Sequence, residues 1–195
     1  MGLDNQSPAL FGQTPWQTVG PFFHFGLVLD GVADLVGDGA ADAIEIVGRV
    51  FEAGGTPVPD ALIEIWQADG EGRYNSPDDP RHAPGLEAAF TGFGRVATGP
   101  DGGFRLRTIR PGRVPGPGNS LQAPHIAISV LGRGLMKRLA TRLYFADGEG
   151  NDLDPILSLA PEVRRGTLIA KAEGPTVWRF DIHLQGEHET VFFDV

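Results

Sequence analysis

Apolar and polar residues alternate in short runs along most of the chain. Runs of this kind, rich in β-branched and aromatic residues and bounded by glycine or proline, predict β-strands. Eight stretches fit the pattern: 43–51, 61–69, 104–109, 125–132, 138–145, 167–171, 178–185 and 190–195. Helical periodicity is weak, with room for a short helix only at 134–140 or 155–165. The pattern therefore predicts an all-β fold, an antiparallel β-sandwich with long loops.

The connections between these strands are of two kinds. Segment 52–60 predicts a hairpin between the first two strands, and 184–190 predicts one between the last two. Three longer segments interrupt the pattern: residues 1–42, 70–103 and 110–124. Connections of that length are uncommon in compact domains and are often functional.

The length of 195 residues is enough for one self-supporting core, so we expect a single domain over residues 1–195. Its first 42 residues form an arm that contains the apolar segment TPWQTVGPFFHFGLVL (14–29). Because so apolar a segment is unfavourable in water, we expect the arm to pack on the domain or on a partner chain.

Charge and composition exclude several classes of function. The net charge of −9 disfavours binding to nucleic acid or to an anionic membrane surface. There is no cysteine, so disulfides, thiolate catalysis and zinc–thiolate sites are excluded, which suits a reducing compartment. No secretory signal is recognisable at the N-terminus, and no apolar run approaches the ~20 residues of a membrane helix. We expect a cytoplasmic protein.

The candidate chemistry centres on the segment QAPHIAISV (122–130). His125 occupies a strand, and a metal-binding strand commonly presents a second histidine two residues later, on the same face of the sheet. Ala127 occupies that place. His183 and His188 are interpreted as packing or surface residues.

Segments along nearly the whole chain resemble the intradiol ring-cleavage dioxygenases. In chain order they are TPWQTVGPFFHFGL (14–27), PVPDALIEIWQADGEGRY (57–74), GFGRVATGPDGGFRLRTIRPG (92–112), APHIAISVLGRG (123–134), RLYF (142–145), RRGTLIAK (164–171) and FDIHLQGEHETVFFDV (180–195). The first and last segments resemble the alpha chains of members that are built from alpha and beta chains. This resemblance implies the family's sandwich fold.

The resemblance also implies where the family's iron site would fall. In the family two tyrosines and two histidines hold a ferric ion, and a hard phenolate oxygen suits that charge. The four positions correspond to Tyr74, Val114, His125 and Ala127. Since valine and alanine offer no donor atom, we expect Tyr74 and His125 to be remnants of a lost site. The resemblance implies that the partner beta chain binds the Fe3+ and that this chain alone has no catalytic residue.

The resemblance also implies a second set of residues, which bind the substrate. It comprises Thr18, Gly20, Pro21, Phe22 and Arg133. A guanidinium suits a ring carboxylate, because its planar donors match the two carboxylate oxygens. Phe22 replaces a tyrosine that is common at this place in the family, so a hydroxyl-mediated contact is not expected.

The implied function is that of an alpha subunit in an alpha/beta hetero-oligomer. The assembled enzyme would use O2 to cleave protocatechuate (3,4-dihydroxybenzoate) to 3-carboxy-cis,cis-muconate, in the β-ketoadipate route of aromatic catabolism. The alternative from another class is a noncatalytic β-sandwich that binds small aromatic acids. A self-sufficient homomeric dioxygenase is disfavoured by Val114 and Ala127.

Overall fold

The structure is a computed structural model and describes residues 15–20, 22–29, 31–82 and 90–194. Most of its regular structure is β-strand. The strands are β1 Ala43–Phe51, β2 Leu62–Trp66, β3 Phe93–Ala97, β4 Gly103–Ile109, β5 Val114–Pro115, β6 Leu121–Gln122, β7 His125–Leu131, β8 Leu139–Phe145, β9 Ile169–Ala172, β10 Val177–Arg179 and β11 Ile182–His183. The helices are short: α1 Phe23–Leu27 and α2 Glu162–Arg165, with 3-10 turns at Ala53–Gly55, Asn151–Leu153, Leu157–Leu159 and Gly166–Leu168.

The strands form one large mixed sheet and one small ribbon. In the large sheet the order is β11-β1-β10-β9-β8-β7-β2-β3, with β4 pairing separately with β1. The pairs β1–β4, β9–β10, β2–β3, β2–β7 and β7–β8 are antiparallel. The pairs β1–β10, β1–β11 and β8–β9 are parallel, an arrangement that the strand pattern alone did not predict. Strands β5 and β6 form the ribbon.

The core lies between the half of the sheet around β1 and the half around β7. Alternate residues of each strand point inward, as the two-residue period of a strand requires. From the first half come Ile44, Ile46, Phe104 and Leu106, and from the second Ile63, Ile65, Ile128 and Leu143, all at most 8% exposed and all in one cluster. The opposite face of the β2–β7–β8 region is covered by loops, and it carries the polar residues considered below.

The strand predictions are largely confirmed, but the strand predicted at 190–195 is not: in its described part Phe193 forms an isolated bridge with Ala140. The hairpin predicted at 184–190 is therefore wrong as a pairing of two strands, although the Thr190 N–H donates to the His183 carbonyl at 2.9 Å.

The pairing predicted across 52–60 is wrong as well. Segment 52–60 does turn back on itself, and the Glu52 N–H donates to the Thr56 carbonyl at 2.9 Å. Its two flanking strands nevertheless part, because β1 pairs with β4 whereas β2 pairs with β3 and β7. The helix predicted within 155–165 is confirmed in its last turn as α2.

Part of the N-terminal arm packs on the sheet. Leu35 and Val36 are buried, and the Leu35 N–H donates to the Arg107 carbonyl at 2.8 Å. Farther upstream, Trp16 is 59% exposed and Leu29 is 60% exposed. No helix in the described part of the chain is long and apolar enough to cross a membrane.

Candidate functional site

The two sets of residues predicted from the sequence lie at opposite ends of β7. Its inward residues include Ile126 and Ile128, which leaves His125 and Ala127 on the loop-covered face at the start of the strand. Arg133 follows the end of the strand. The seven residues of β7 span about 20 Å at the normal rise of a strand, so these are two separate places.

Around the start of β7 the strand register brings together the residues that correspond to the family's iron ligands. Ala127 lies opposite Trp66 of β2. The indole of Trp66 stacks on the Tyr74 ring, with 5.8 Å between ring centroids and 9° between planes. Trp66, Tyr74 and buried Val114 line one cavity of about 430 Å3. With His125 two residues before Ala127, all four positions border this end of the sheet.

His125 is held as a neutral imidazole. Its Nδ1 lies 2.8 Å from the Ala123 carbonyl, which requires Nδ1 to carry the proton. Burial, with a further contribution from the Arg142 guanidinium, lowers the pKa of His125 to about 4. Its ring also lies 5.7 Å from that of Tyr144. The imidazole is therefore closely packed and itself uncharged at neutral pH.

The residues at this end do not fit the family's iron. Val114 and Ala127 provide no donor atom at two of the four positions that the resemblance implies for the iron ligands. Burial raises the pKa of the Tyr74 hydroxyl, whereas a ligating tyrosine must lose its proton. Among the residues that the structure describes, no group of three or more His, Asp or Glu side chains is arranged to hold a metal ion. We assign no chemical step to a metal in this chain.

Acidic side chains of the adjoining loop hold the loop itself together. Asp69 Oδ1 accepts hydrogen bonds from the Glu71 and Arg73 N–H groups, both at 2.9 Å. Asp79 accepts from the Tyr74 N–H at 2.8 Å. Burial would raise the pKa of Asp79, but hydrogen bonds from the Tyr74 and Arg81 N–H groups, together with the Arg81 guanidinium, lower it to about 2. The Asp79 carboxylate thereby holds the Tyr74 backbone where the Tyr74 ring stacks on Trp66.

At the other end of β7 the structure brings two predicted substrate-binding residues together. The Gly134 N–H donates to Thr18 Oγ at 3.0 Å, which joins the N-terminal arm to the loop that carries Arg133. Gly134 has φ +85°, a conformation that favours glycine. The Arg133 side chain is 64% exposed, and its Nε donates to Asp60. Arg133 and Gly134 line a cavity of about 310 Å3.

The remaining predicted residues lie along the same arm. The Gly20 carbonyl accepts from the Phe23 N–H at 3.2 Å at the start of α1. A Cβ on Gly20 would meet no atom within 4 Å, so space is open beside it. Phe22 is 78% exposed. Pro21 lies outside the described residues.

Comparison with known proteins gives a consistent result. The family described as Dioxygenase matches residues 29–186. The protocatechuate 3,4-dioxygenase alpha chain of Burkholderia cepacia is 41% identical over 202 residues, covering 94% of this chain and 98% of the relative. This chain belongs to the intradiol ring-cleavage dioxygenase family. The beta chain from the same organism is 36% identical over 163 residues, covering 79% of this chain and 69% of the relative.

A solved structure adds support for the family's fold. The dioxygenase domain of a dioxygenase–carbohydrate-binding fusion from Streptomyces sp. SirexAA-E superposes with a TM-score of 0.58 at 27% identity, covering 92% of this chain and all of that one. The mostly-β fold of this chain is thus an intradiol dioxygenase fold.

Two residues that sequence reasoning missed are important in this intradiol dioxygenase chain. Asp60 pairs with Arg133, and Asp154 is fully buried beside Tyr144 and His125. The Asp154–Pro155 pair is a local signal for a helix start, and the Asp154 side chain accepts from the N–H groups of Ile156 and Leu157. Its other two partners, Ala123 and Tyr144, come from separate segments, so its burial had no local signal. Asp60 could have been found once β2 and β7 were known to pair, since it lies just before β2 and Arg133 lies just after β7.

Proposed function

We propose that this chain is the alpha subunit of a protocatechuate 3,4-dioxygenase and completes an active site whose iron is held by a beta chain. The near full-length match to an alpha chain carries this proposal. The finer architecture we propose is a two-layer β-sandwich formed as a single domain. The shared core between the β1 half and the β7 half supports it.

In this proposal the residues at the Arg133 end of β7 face the substrate. The Arg133 guanidinium binds the ring carboxylate of 3,4-dihydroxybenzoate through paired hydrogen bonds. Gly20 and Phe22 form a wall beside the ring, and the hydrogen bond from the Gly134 N–H to Thr18 holds the arm against the Arg133 loop. These residues bind and orient the substrate, and they help to exclude water. The chemistry of ring cleavage belongs to the Fe3+ on the beta chain.

The test is to assay three samples: this chain alone, a beta chain alone, and the two assembled. We expect stoichiometric iron in the beta chain and in the assembly, and full ring cleavage in the assembly only. Ring cleavage or tightly bound iron in this chain alone would contradict the proposal.

One observation favours a second candidate function, the binding of small aromatic acids without catalysis. The cavity beside Trp66 and Tyr74 is of a size that suits one aromatic ring. Calorimetry with 3,4-dihydroxybenzoate and this chain alone distinguishes the two functions. Tight binding by the chain alone favours the carrier, whereas binding that needs the beta chain favours the enzyme subunit.

A further inference from the structure

Asp60 and Arg133 occupy directly opposed positions at the end of the β2–β7 ladder. The last pair of that antiparallel ladder is Leu62 with Leu131. In an antiparallel pair, each residue toward the end of the ladder has a lower number in β2 and a higher number in β7. Ala61 therefore lies opposite Gly132, and Asp60 lies opposite Arg133. The Asp60 carboxylate accepts a hydrogen bond from Arg133 Nε, as an opposite-charge cross-strand pair should.

The turn that carries Asp60 is rigidly held. Buried Thr98 donates from its hydroxyl to the Val58 carbonyl at 2.7 Å and accepts from the Ala61 N–H at 2.9 Å. These two bonds bracket Pro59 and Asp60. The Asp60 side chain is 23% exposed, compared with 64% for Arg133. A fixed, partly buried carboxylate therefore anchors a largely exposed guanidinium.

The anchor uses only one edge of the guanidinium. Asp60 engages Nε, and within the described part of the chain no hydrogen bond is made by the two terminal nitrogens of Arg133. Those nitrogens provide the donor pair that a carboxylate accepts in a bidentate contact. The neighbouring Gly134 N–H is bound to Thr18, so the arm and the guanidinium are positioned by the same loop.

We propose that Asp60 is a positioning residue that orients Arg133 for the carboxylate of the substrate and thereby contributes to selection of carboxylated catechols. The proposal rests on the function proposed above. Asp60 does not touch the substrate. It restricts the rotamers of a flexible arginine, so that less conformational entropy is lost when the carboxylate binds.

An effect of charge alone would change the KM in the opposite direction, so an experiment can distinguish the two explanations. The Asp60 carboxylate partly neutralises Arg133, so its removal strengthens the positive potential around the guanidinium. If Arg133 attracted the substrate only through its charge, Asp60→Ala would lower the KM for 3,4-dihydroxybenzoate. If the orientation of Arg133 matters more, the same substitution raises it.

The experiment uses the assembled alpha/beta enzyme with Asp60→Ala, Asp60→Asn, Arg133→Ala and the double variant of Asp60→Ala with Arg133→Ala. We expect Asp60→Ala to raise the KM for 3,4-dihydroxybenzoate about tenfold with kcat nearly unchanged. Asp60→Asn, which keeps an acceptor without the charge, should raise it about threefold. The double variant should match Arg133→Ala alone, because Asp60 acts through Arg133.

A second ligand separates positioning from a structural effect. 4-Methylcatechol lacks the carboxylate, so its inhibition constant should stay within about twofold in Asp60→Ala. The matched control is Glu173→Ala, which removes another carboxylate that accepts from an arginine Nε, that of Arg179, on a distant surface. It should leave the KM unchanged. If Asp60→Ala does not assemble, Asp60→Asn and its 4-methylcatechol constant decide the question.

The outcomes distinguish the two proposals. If the wild-type assembly does not cleave 3,4-dihydroxybenzoate, the proposed function fails. The role of Asp60 is overturned, while the subunit function stands, if the enzyme is active but Arg133→Ala has no effect. The same holds if Asp60→Ala lowers the KM or leaves it unchanged. Equal weakening of 4-methylcatechol and 3,4-dihydroxybenzoate would also overturn it.

Discussion

A single buried carboxylate, that of Asp154, joins three segments beside His125. It accepts hydrogen bonds from the N–H groups of Ala123 (2.7 Å), Ile156 (2.9 Å) and Leu157 (2.7 Å) and from the Tyr144 hydroxyl (3.1 Å). Because Ala123 in turn accepts from His125 Nδ1, this carboxylate also fixes the imidazole. Hydrogen bonds to a buried charge are strong, and their donors are costly to leave unpaired.

We predict that Asp154→Asn destabilises the assembled protein by about 3 kcal/mol, because the amide NH2 must face a backbone N–H and one buried donor loses its acceptor. For a chain of this size that corresponds to a loss of about 8 °C in melting temperature. Differential scanning calorimetry measures it. Asp152→Asn, at an exposed position two residues away, is the control and should melt within about 1 °C of wild type.

We predict that His125 makes the protein less stable as the pH falls. Its pKa is about 4 in the folded chain, against 6.5 for an ordinary histidine. Between these values the unfolded state binds the proton and the folded state does not, so stability is full above pH 6.5 and declines toward pH 4 by up to about 3 kcal/mol. Melting temperatures across this range, compared with those of His125→Gln, measure the contribution.

The corresponding control is His188→Gln, since His188 is exposed. It should keep the wild-type acid dependence, whereas His125→Gln should lose part of it. An identical decline in His125→Gln would contradict the assignment to His125.

At the residue scale, the sequence could predict which side chains are present but not which of them meet. The resemblance gave Tyr74, Val114, His125 and Ala127, and the structure places them at one end of the sheet. Which side chains contact one another depends on burial and on pairing between residues that are far apart in the sequence. Asp60 and Arg133 are 73 positions apart, and only the strand register makes them neighbours. The substrate roles of Thr18, Gly20, Pro21, Phe22 and Arg133 stay predictions.

At the scale of elements, β1 is the strand on which the first half of the sheet is built. It has β4 on one side and β10 and then β11 on the other. Between β10 and β11 the chain also runs alongside β1, and the Phe180 N–H donates to the Val47 carbonyl at 2.8 Å. Gly48 makes this approach possible, because a Cβ there would meet the Phe180 oxygen at 1.9 Å.

We predict that Gly48→Ala destabilises the fold by at least about 3 kcal/mol, since the added methyl must displace main chain rather than a flexible side chain. The soluble yield and the melting temperature of the assembled protein measure it. Gly174→Ala is the control: a Cβ there meets nothing within 4 Å, and Gly174 does not have a positive φ. A Gly48→Ala protein as stable as the control would contradict the role of Gly48.

The alternation of residues predicted most strands but not their partners. Strand β1 has the predicted bounds, because its alternation is uninterrupted. Strand β3 was missed, since Gly94 breaks the apolar pattern. A Cβ at Gly94 would come within 2.3 Å of Leu35, so the glycine makes room for the arm. The partners of β1 come from distant segments, which no local pattern can reveal.

At the scale of the whole molecule, apolar side chains remain on the surface of the arm. Trp16 and Leu29 are both more than half exposed, and they lie on either side of the predicted substrate-binding segment. Large apolar residues exposed along one segment commonly mark a contact with another chain. Their location agrees with a beta chain that covers the arm and the Arg133 loop together.

We predict that Trp16→Ser combined with Leu29→Ser weakens association with the beta chain at least tenfold, because such anchors dominate the binding energy of an interface. Analytical ultracentrifugation or surface plasmon resonance measures the dissociation constant. Val163→Ser, at a position 94% exposed in a different segment, is the control and should change it less than twofold. Equal losses in the two variants would contradict assigning this contact to the arm.

The length of β7 has a consequence for the ancestry of such chains. One gene copy can lose a reaction centre at the start of the strand and keep a recognition surface beyond the end of the strand. The two sites are separated by the paired part of β7, whose inward residues need only remain apolar. Few substitutions are then needed for two paralogous chains to differ in which of these two sites they keep. Under the proposed function, introducing iron ligands at positions 114 and 127 would be a separate problem from altering which acids the chain recognises.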